Sequence, residues 1–227
     1  MKTSFLFTCE HASKALPGRF EAYFSGIDEH CRYDKGALSY AKVLSERLEA
    51  DLFIGKQSRL LVDLNRSPGH RSLFSDPIKE CPSSEKIRIL ERYYWPFRKE
   101  VFAVVSERIQ KGEKVVHISC HSFVPEFKGR RREVDIGVLY DPSRNGEVSC
   151  AHSIVRGLRV LPIMVHCNAP YRGVSDGHVT SFRRQFSDEH YVGIELEVNQ
   201  LFFTVDKSSF WRYVVLPRLV SVLKNLR

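Results

Sequence analysis

FLFTCEHAS, residues 5–13, begins as an apolar run and ends on an acid, a histidine and small residues. VVHISCHSF, residues 115–123, has the same arrangement, its apolar run ending at His121. Short apolar runs without strict alternation suit strands buried on both faces, as in a sheet covered by helices. Strands are expected at 4–9, 51–54, 59–64, 115–120, 135–140, 160–166 and 192–198. Helices are expected between them. Ala37, Ala41, Leu44 and Leu48 keep a stripe after Gly36. A long pattern runs from Ser84 to Gln110, where Pro96 predicts a kink. Further helices are expected over about 147–157 and 207–225, the last interrupted by Pro217. Alternating strands and helices argue for a layered α/β domain. In such sheets functional groups gather outside the carboxyl ends of the strands, where His11 and His121 fall.

The chain has 227 residues, which fits one domain spanning 1–227, and 43% hydrophobic residues supply its core. Lys and Arg total 35 against 27 Asp and Glu, a net charge of +8. Such a balance suits nucleic acid or small anionic substrates. The one basic cluster, KGRRRE at 128–133, lacks the interleaved aromatics of an RNA-binding sheet and reads as a solvated loop. No nucleic-acid partner is expected. Six cysteines contain no CxxC pair. The start MKTSFLF is too short for a secretory leader, and no apolar run is long enough to span a bilayer. These features lead to the expectation of a cytoplasmic protein with reduced thiols.

A catalytic zinc commonly takes three protein ligands from His, Asp and Glu. His11 and His121 are two candidates; Asp34, His30 and Glu10 compete for the third place. Asp34 also suits a helix cap, and either histidine alone suits a local hydrogen bond. There is no HExxH. In SRLLVDLNRSPGH, 58–70, Asn65 and Arg66 form a pair able to bind a carboxylate, the guanidinium through two parallel hydrogen bonds. A structural Asp63–Arg link is the plainer alternative. In NAPYRGVSDG, 168–177, Tyr171 and Arg172 sit on a loop that either closes over an anion or forms a surface turn. In GIELEVNQ, 193–200, alternation puts Glu195, Glu197 and Asn199 on one face, suiting an exposed sheet face or a cleft. A cysteine nucleophile at Cys9 or Cys120 is disfavoured, because Cys120 and His121 point to opposite faces.

CEHAS with Pro17, H-x-x-x-D-x-G-A at 30–37, SRLLVDLNR, CHSF with Pro125, PYRG with Asp176, and LEVNQ occur here in order. This ordered set resembles the N-formylglutamate amidohydrolase family over about residues 5–203. The resemblance implies a single-domain three-layer sandwich with a mixed, mostly parallel sheet, of the phosphorylase/hydrolase-like type found in zinc carboxypeptidases. It implies a Zn²⁺-dependent amidohydrolase acting on a small anionic N-acyl amino acid such as N-formylglutamate. The metal ligands would be His11, His121 and an acid. Carboxypeptidases place that acid three residues after the first histidine, where this chain has Lys14, so Asp34 is the expected replacement. Glu197, with Glu195 as competitor, would be the catalytic acid–base. Arg59 would assist at the oxyanion, and Asn65 and Arg66 would bind the α-carboxylate. Tyr171, Arg172 and one of Arg183 or Arg184 would meet a second acidic group.

Overall fold

The computed structural model describes residues 1–226. Strands β1 (Thr3–Cys9), β2 (Asp51–Ile54), β3 (Lys114–Phe123), β6 (Ile136–Leu139), β7 (Val165–Cys167) and β8 (Tyr191–Asn199) form one six-stranded sheet in the order β2-β1-β3-β8-β6-β7. β4 (Glu126–Phe127) and β5 (Arg130–Arg131) form a separate antiparallel hairpin. Every neighbouring pair in the main sheet is parallel except β6 and β8. The chain is thus a single α/β domain with a mixed, mostly parallel sheet.

Helices cover both faces, making three layers. Helices Ala37–Arg47, Asn145–Leu158 and Leu216–Lys224 pack on one side, over Phe7, Ile118, Ile194, Leu196 and Val198. Helix Trp95–Gln110 and the short helix His178–Arg183 lie on the other, over Leu6, Val115 and Tyr191. The two faces differ along the strands. The first stays apolar to the strand ends, whereas the second turns polar at His117, Ser119 and His121 on β3 and at Glu195, Glu197 and Asn199 on β8. Because side chains alternate, each set shares one face, and the register aligns Thr8 with Ser119, Ser119 with Glu195, and His121 with Glu197. The fold thereby gathers polar groups at the carboxyl ends of three adjacent parallel strands.

Two expected strands differ. Residues 59–64 form turns instead: Leu61 N–H donates to Ser58 O (3.0 Å) and Asp63 N–H to Leu73 O (2.8 Å). Leu61, Val62 and Leu64 are nevertheless buried in the core beneath the Trp95–Gln110 helix. Residues 160–164 are turn and bend, leaving only Val165–Cys167 as strand. Both expected proline effects take one form. Pro96 and Pro217 each follow a π-helical turn, Leu90–Tyr94 and Trp211–Val215. The wider turn accommodates the ring and the missing N–H within a continuing helix.

Candidate active site

His11 leaves the end of β1 and His121 stands near the end of β3, and their rings lie 4.9 Å apart between centroids. Asp34 lies between them. Its Oδ2 is 2.8 Å from His121 Nδ1 and 3.3 Å from His11 Nδ1. A backbone bond fixes this placement: Asp34 N–H donates to His11 O at 2.9 Å. Thus two imidazole nitrogens and a carboxylate oxygen from three distant segments converge within 4.8 Å, all buried. The set suits a divalent cation of the zinc type, which takes imidazole and carboxylate ligands. The outward nitrogens support this fit. His11 Nε2 is 2.7 Å from Asp63 Oδ1, and His121 Nε2 is 2.9 Å from Ser119 Oγ. Metal-ligating histidines usually have such partners, which fix the ring and its tautomer.

The other contenders for the third place lie elsewhere. His30 is exposed beside Cys31. Lys14 is exposed and paired with Glu29 at 2.6 Å. Glu10 is buried behind His121, with Oε2 3.4 Å from its Nε2.

A cavity of about 210 Å³ opens at the three residues, lined also by Arg59, Asn65, Arg66, Tyr171, Arg172, Glu195 and Glu197. Arg59 donates to Asp63 at 2.8 Å and lies 3.7 Å from Asp34. Burial disfavours its charge, but the two carboxylates outweigh that and raise its pKa. Asp34 has the mirror-image balance: burial raises its pKa, and the two imidazoles more than reverse this, leaving the carboxylate ionised. Burial also disfavours the imidazolium of His121, yet Asp34, Glu10 and Glu197 raise it to about 10.

Glu197 differs from the other acids. Burial pushes its carboxyl up; His121 opposes this, and Asp34 and Glu195 add to it, giving a pKa of about 8. Its Oε2 is buried with no hydrogen-bond partner among the described residues. Glu197 thus lines the cavity with one carboxyl oxygen that no protein group engages among the described residues. Glu195, also raised by burial, lies one row deeper beneath Gly177.

Arg66 donates to Asp176 O at 2.6 Å and Asn65 O at 3.2 Å, while its buried Nε has no partner among the described residues. Asn65 is more occupied than expected: its Oδ1 accepts from His178 N–H at 2.6 Å, and its Nδ2 lies 3.3 Å from His121 Nε2. Tyr171 and Arg172 sit exposed on the rim.

The structure does not bring Arg183 into the cavity. Its guanidinium donates to Glu147 Oε1 (2.9 Å), Gly173 O (2.5 Å) and Gly193 O (2.9 Å), tying the 168–177 loop to the sheet. Arg184 is exposed in a separate groove with Trp95 and Phe102.

Sequence reading missed two groups. Asp63, which holds both His11 and Arg59, read only as part of a turn link. Arg132 read as solvated, yet it donates to Tyr171 Oη at 3.1 Å and lies 5.2 Å from that ring's centroid, with Phe123 and Phe127 also within reach. Those aromatics are too dispersed in sequence to signal the cluster. The thiol alternative also lacks support: burial raises Cys9 and Cys120 well above an ordinary thiol, and both belong to the core on the opposite face.

The sequence pattern of N-formylglutamate amidohydrolase matches residues 3–203. The chain belongs to that family. Among solved structures, it is similar to the Atu2144 gene product of Agrobacterium tumefaciens, with 28% identity and a TM-score of 0.80 over 98% of this chain and 91% of the other. An N-formylglutamate amidohydrolase from Ralstonia eutropha JMP134 shares the fold at 16% identity, with a TM-score of 0.72 over 97% of this chain and 91% of that one. No curated protein matches. This N-formylglutamate amidohydrolase family member has no helix long and apolar enough to cross a membrane among its described residues.

Proposed function

We propose that the protein is a zinc-dependent amidohydrolase that cleaves the amide bond of an N-acyl amino acid, with N-formylglutamate as the leading substrate. The observation that carries this reading is the convergence of His11, Asp34 and His121 beside Glu197 in an arginine-lined cavity. Family membership supports the reaction type. His11 and His121 through Nδ1, and Asp34 through its carboxylate, would hold the metal. Zinc bound there supplies Lewis acidity, polarising the carbonyl and lowering the pKa of water to about 7.

The chain's own groups do the rest. Glu197 takes the proton released as water attacks the acyl carbon and gives it to the departing amine. Arg59, held by Asp63, offsets the negative charge that grows on the carbonyl oxygen. Arg66 binds the α-carboxylate, and Asn65 mainly holds the neighbouring backbone while offering its amide edge. Tyr171 and Arg172 meet the second carboxylate at the rim. Arg183 supports that loop from beneath. The products are the free carboxylic acid and the amino acid.

The test is hydrolysis of a panel of N-acyl amino acids that varies the acyl group and the amino acid separately. N-Formylglutamate turnover that a chelator abolishes and zinc restores is the expected result. Turnover indifferent to chelation, or no hydrolysis across the panel by zinc-loaded protein, would reject the proposal.

A further inference from the structure

Glu10 is sealed behind the centre, 1% exposed, and the reaction above makes no use of it. Its Oε2 accepts from Ser119 Oγ at 2.8 Å, and its Oε1 lies 2.7 Å from His178 Nδ1. Ser119 Oγ is in turn 2.9 Å from His121 Nε2. The network is compatible with one arrangement of protons, in which Asn65 Nδ2, 3.3 Å away, is a further neighbour of His121 Nε2. If His121 presents the Nδ1 lone pair beside Asp34, its Nε2 carries the proton and donates to Ser119 Oγ. Ser119 in turn donates its own hydroxyl hydrogen bond to Glu10. His178 donates its Nδ1 proton to the other oxygen of the same carboxylate.

Both carboxylate oxygens of Glu10 are thus engaged behind the centre, one by Ser119 and one by His178. His117 lies close enough to complete a second Glu10–His117–His178 triad. Both its nitrogens are already engaged, with Thr8 Oγ1 and Tyr191 Oη, each at 2.8 Å. The remaining His178 nitrogen, Nε2, has no hydrogen-bond partner among the described residues, and that ring is packed by Phe97 and Phe182 at 5.4 and 5.1 Å. This second triad is therefore built as hydrogen-bonded support.

We propose that Glu10, acting through Ser119 and anchored by His178, is a positioning residue that fixes the tautomer and angle of His121 and so sets the centre's affinity for a divalent cation. The inference rests on the reading of His11, Asp34 and His121 as metal ligands. It also assigns the two histidines different supports: a direct carboxylate from Asp63 for His11, and a hydroxyl relay for His121.

The test titrates Zn²⁺ against a competing chelator in the wild type, Glu10→Gln, Ser119→Ala and the double variant, alongside thermal unfolding of each metal-free protein. Cobalt-substituted protein adds a spectroscopic readout of ligand geometry. The expected result is zinc affinity weakened about 10- to 100-fold in each single variant, the scale on which such supporting partners act. The double variant should be no weaker than the weaker single one, because both remove one relay. The cobalt absorption bands should shift in Ser119→Ala while its metal-free unfolding temperature stays near wild type. Wild-type affinity and unshifted bands in Ser119→Ala would overturn the relay, and this variant decides the question if Glu10→Gln does not fold. Multiplying losses in the double variant would overturn it as well. A wild type that binds no zinc would sink the metal reading itself, an outcome separable from a zinc-binding wild type with indifferent variants.

Discussion

Glu197 owes its raised pKa first to burial and then to its charged neighbours. The β8 alternation turns it to the same face as Glu195, and β3 sets His121 beside it in register. Burial raises its pKa to about 8, with His121 opposing and Asp34 and Glu195 reinforcing. A group poised near neutrality is suited both to accept and to return a proton. Glu197→Gln keeps the shape and removes the acceptor. The variant should retain bound zinc and lose about 100-fold or more in kcat. Steady-state kinetics with N-formylglutamate beside metal analysis checks this, and undiminished turnover would rule Glu197 out as the base. Asp34 makes a similar point about environment. A residue that suits a helix cap in sequence stands between two imidazoles, because its backbone N–H is bonded to His11 O.

At the scale of elements, the close approach of the 168–177 loop to the sheet constrains the rim. Gly137 on β6 faces Glu197 across the antiparallel pair. A Cβ added there would lie 1.9 Å from Ala169 O, inside any permitted contact. Gly137→Ala should displace the loop carrying Tyr171 and Arg172, costing about 1–3 kcal/mol of stability together with substrate affinity. Urea unfolding and KM measure the two effects; unchanged values for both would mean that the loop does not need this contact. The long strands β3 and β8 were legible because burial on both faces leaves continuous apolar runs, broken only where acids and histidines enter the site. Residues 59–64 misled because Leu61, Val62 and Leu64 are buried without pairing as strand; apolar pattern reports burial before it reports hydrogen bonding. Arg183 and Arg132 both differ from their sequence expectation for a related reason. Charge in a sequence does not reveal its partner, and here Glu147 holds Arg183 inside while Phe123, Phe127 and Tyr171 gather around Arg132.

Across the whole molecule, buried ionisable groups make stability depend on pH and would couple it to a bound metal. His121 is held up at about 10 and Glu197 at about 8, both above the usual values of about 6.5 and 4.3 in an unfolded chain. Each contribution is full below the unfolded value and is lost as pH rises through the folded one. His117 and His178, pushed down to about 3 and 4 chiefly by burial, act oppositely, but their window closes near pH 6.5. Metal-free protein should therefore be less stable at pH 8 than at pH 6.5, by on the order of 2 kcal/mol. Zinc held as proposed would compete with the proton on His121, so the stabilisation it confers should grow over the same interval. Urea unfolding with and without zinc reads both slopes; a metal-free stability that is flat or rising toward pH 8 would contradict this account. The most direct test of the central claim is metal content. Protein purified without chelator and equilibrated with zinc should hold about one ion per chain, and folded His11→Ala and His121→Ala variants should hold none. Folded wild-type protein without zinc, or variants that keep it, would contradict the claim.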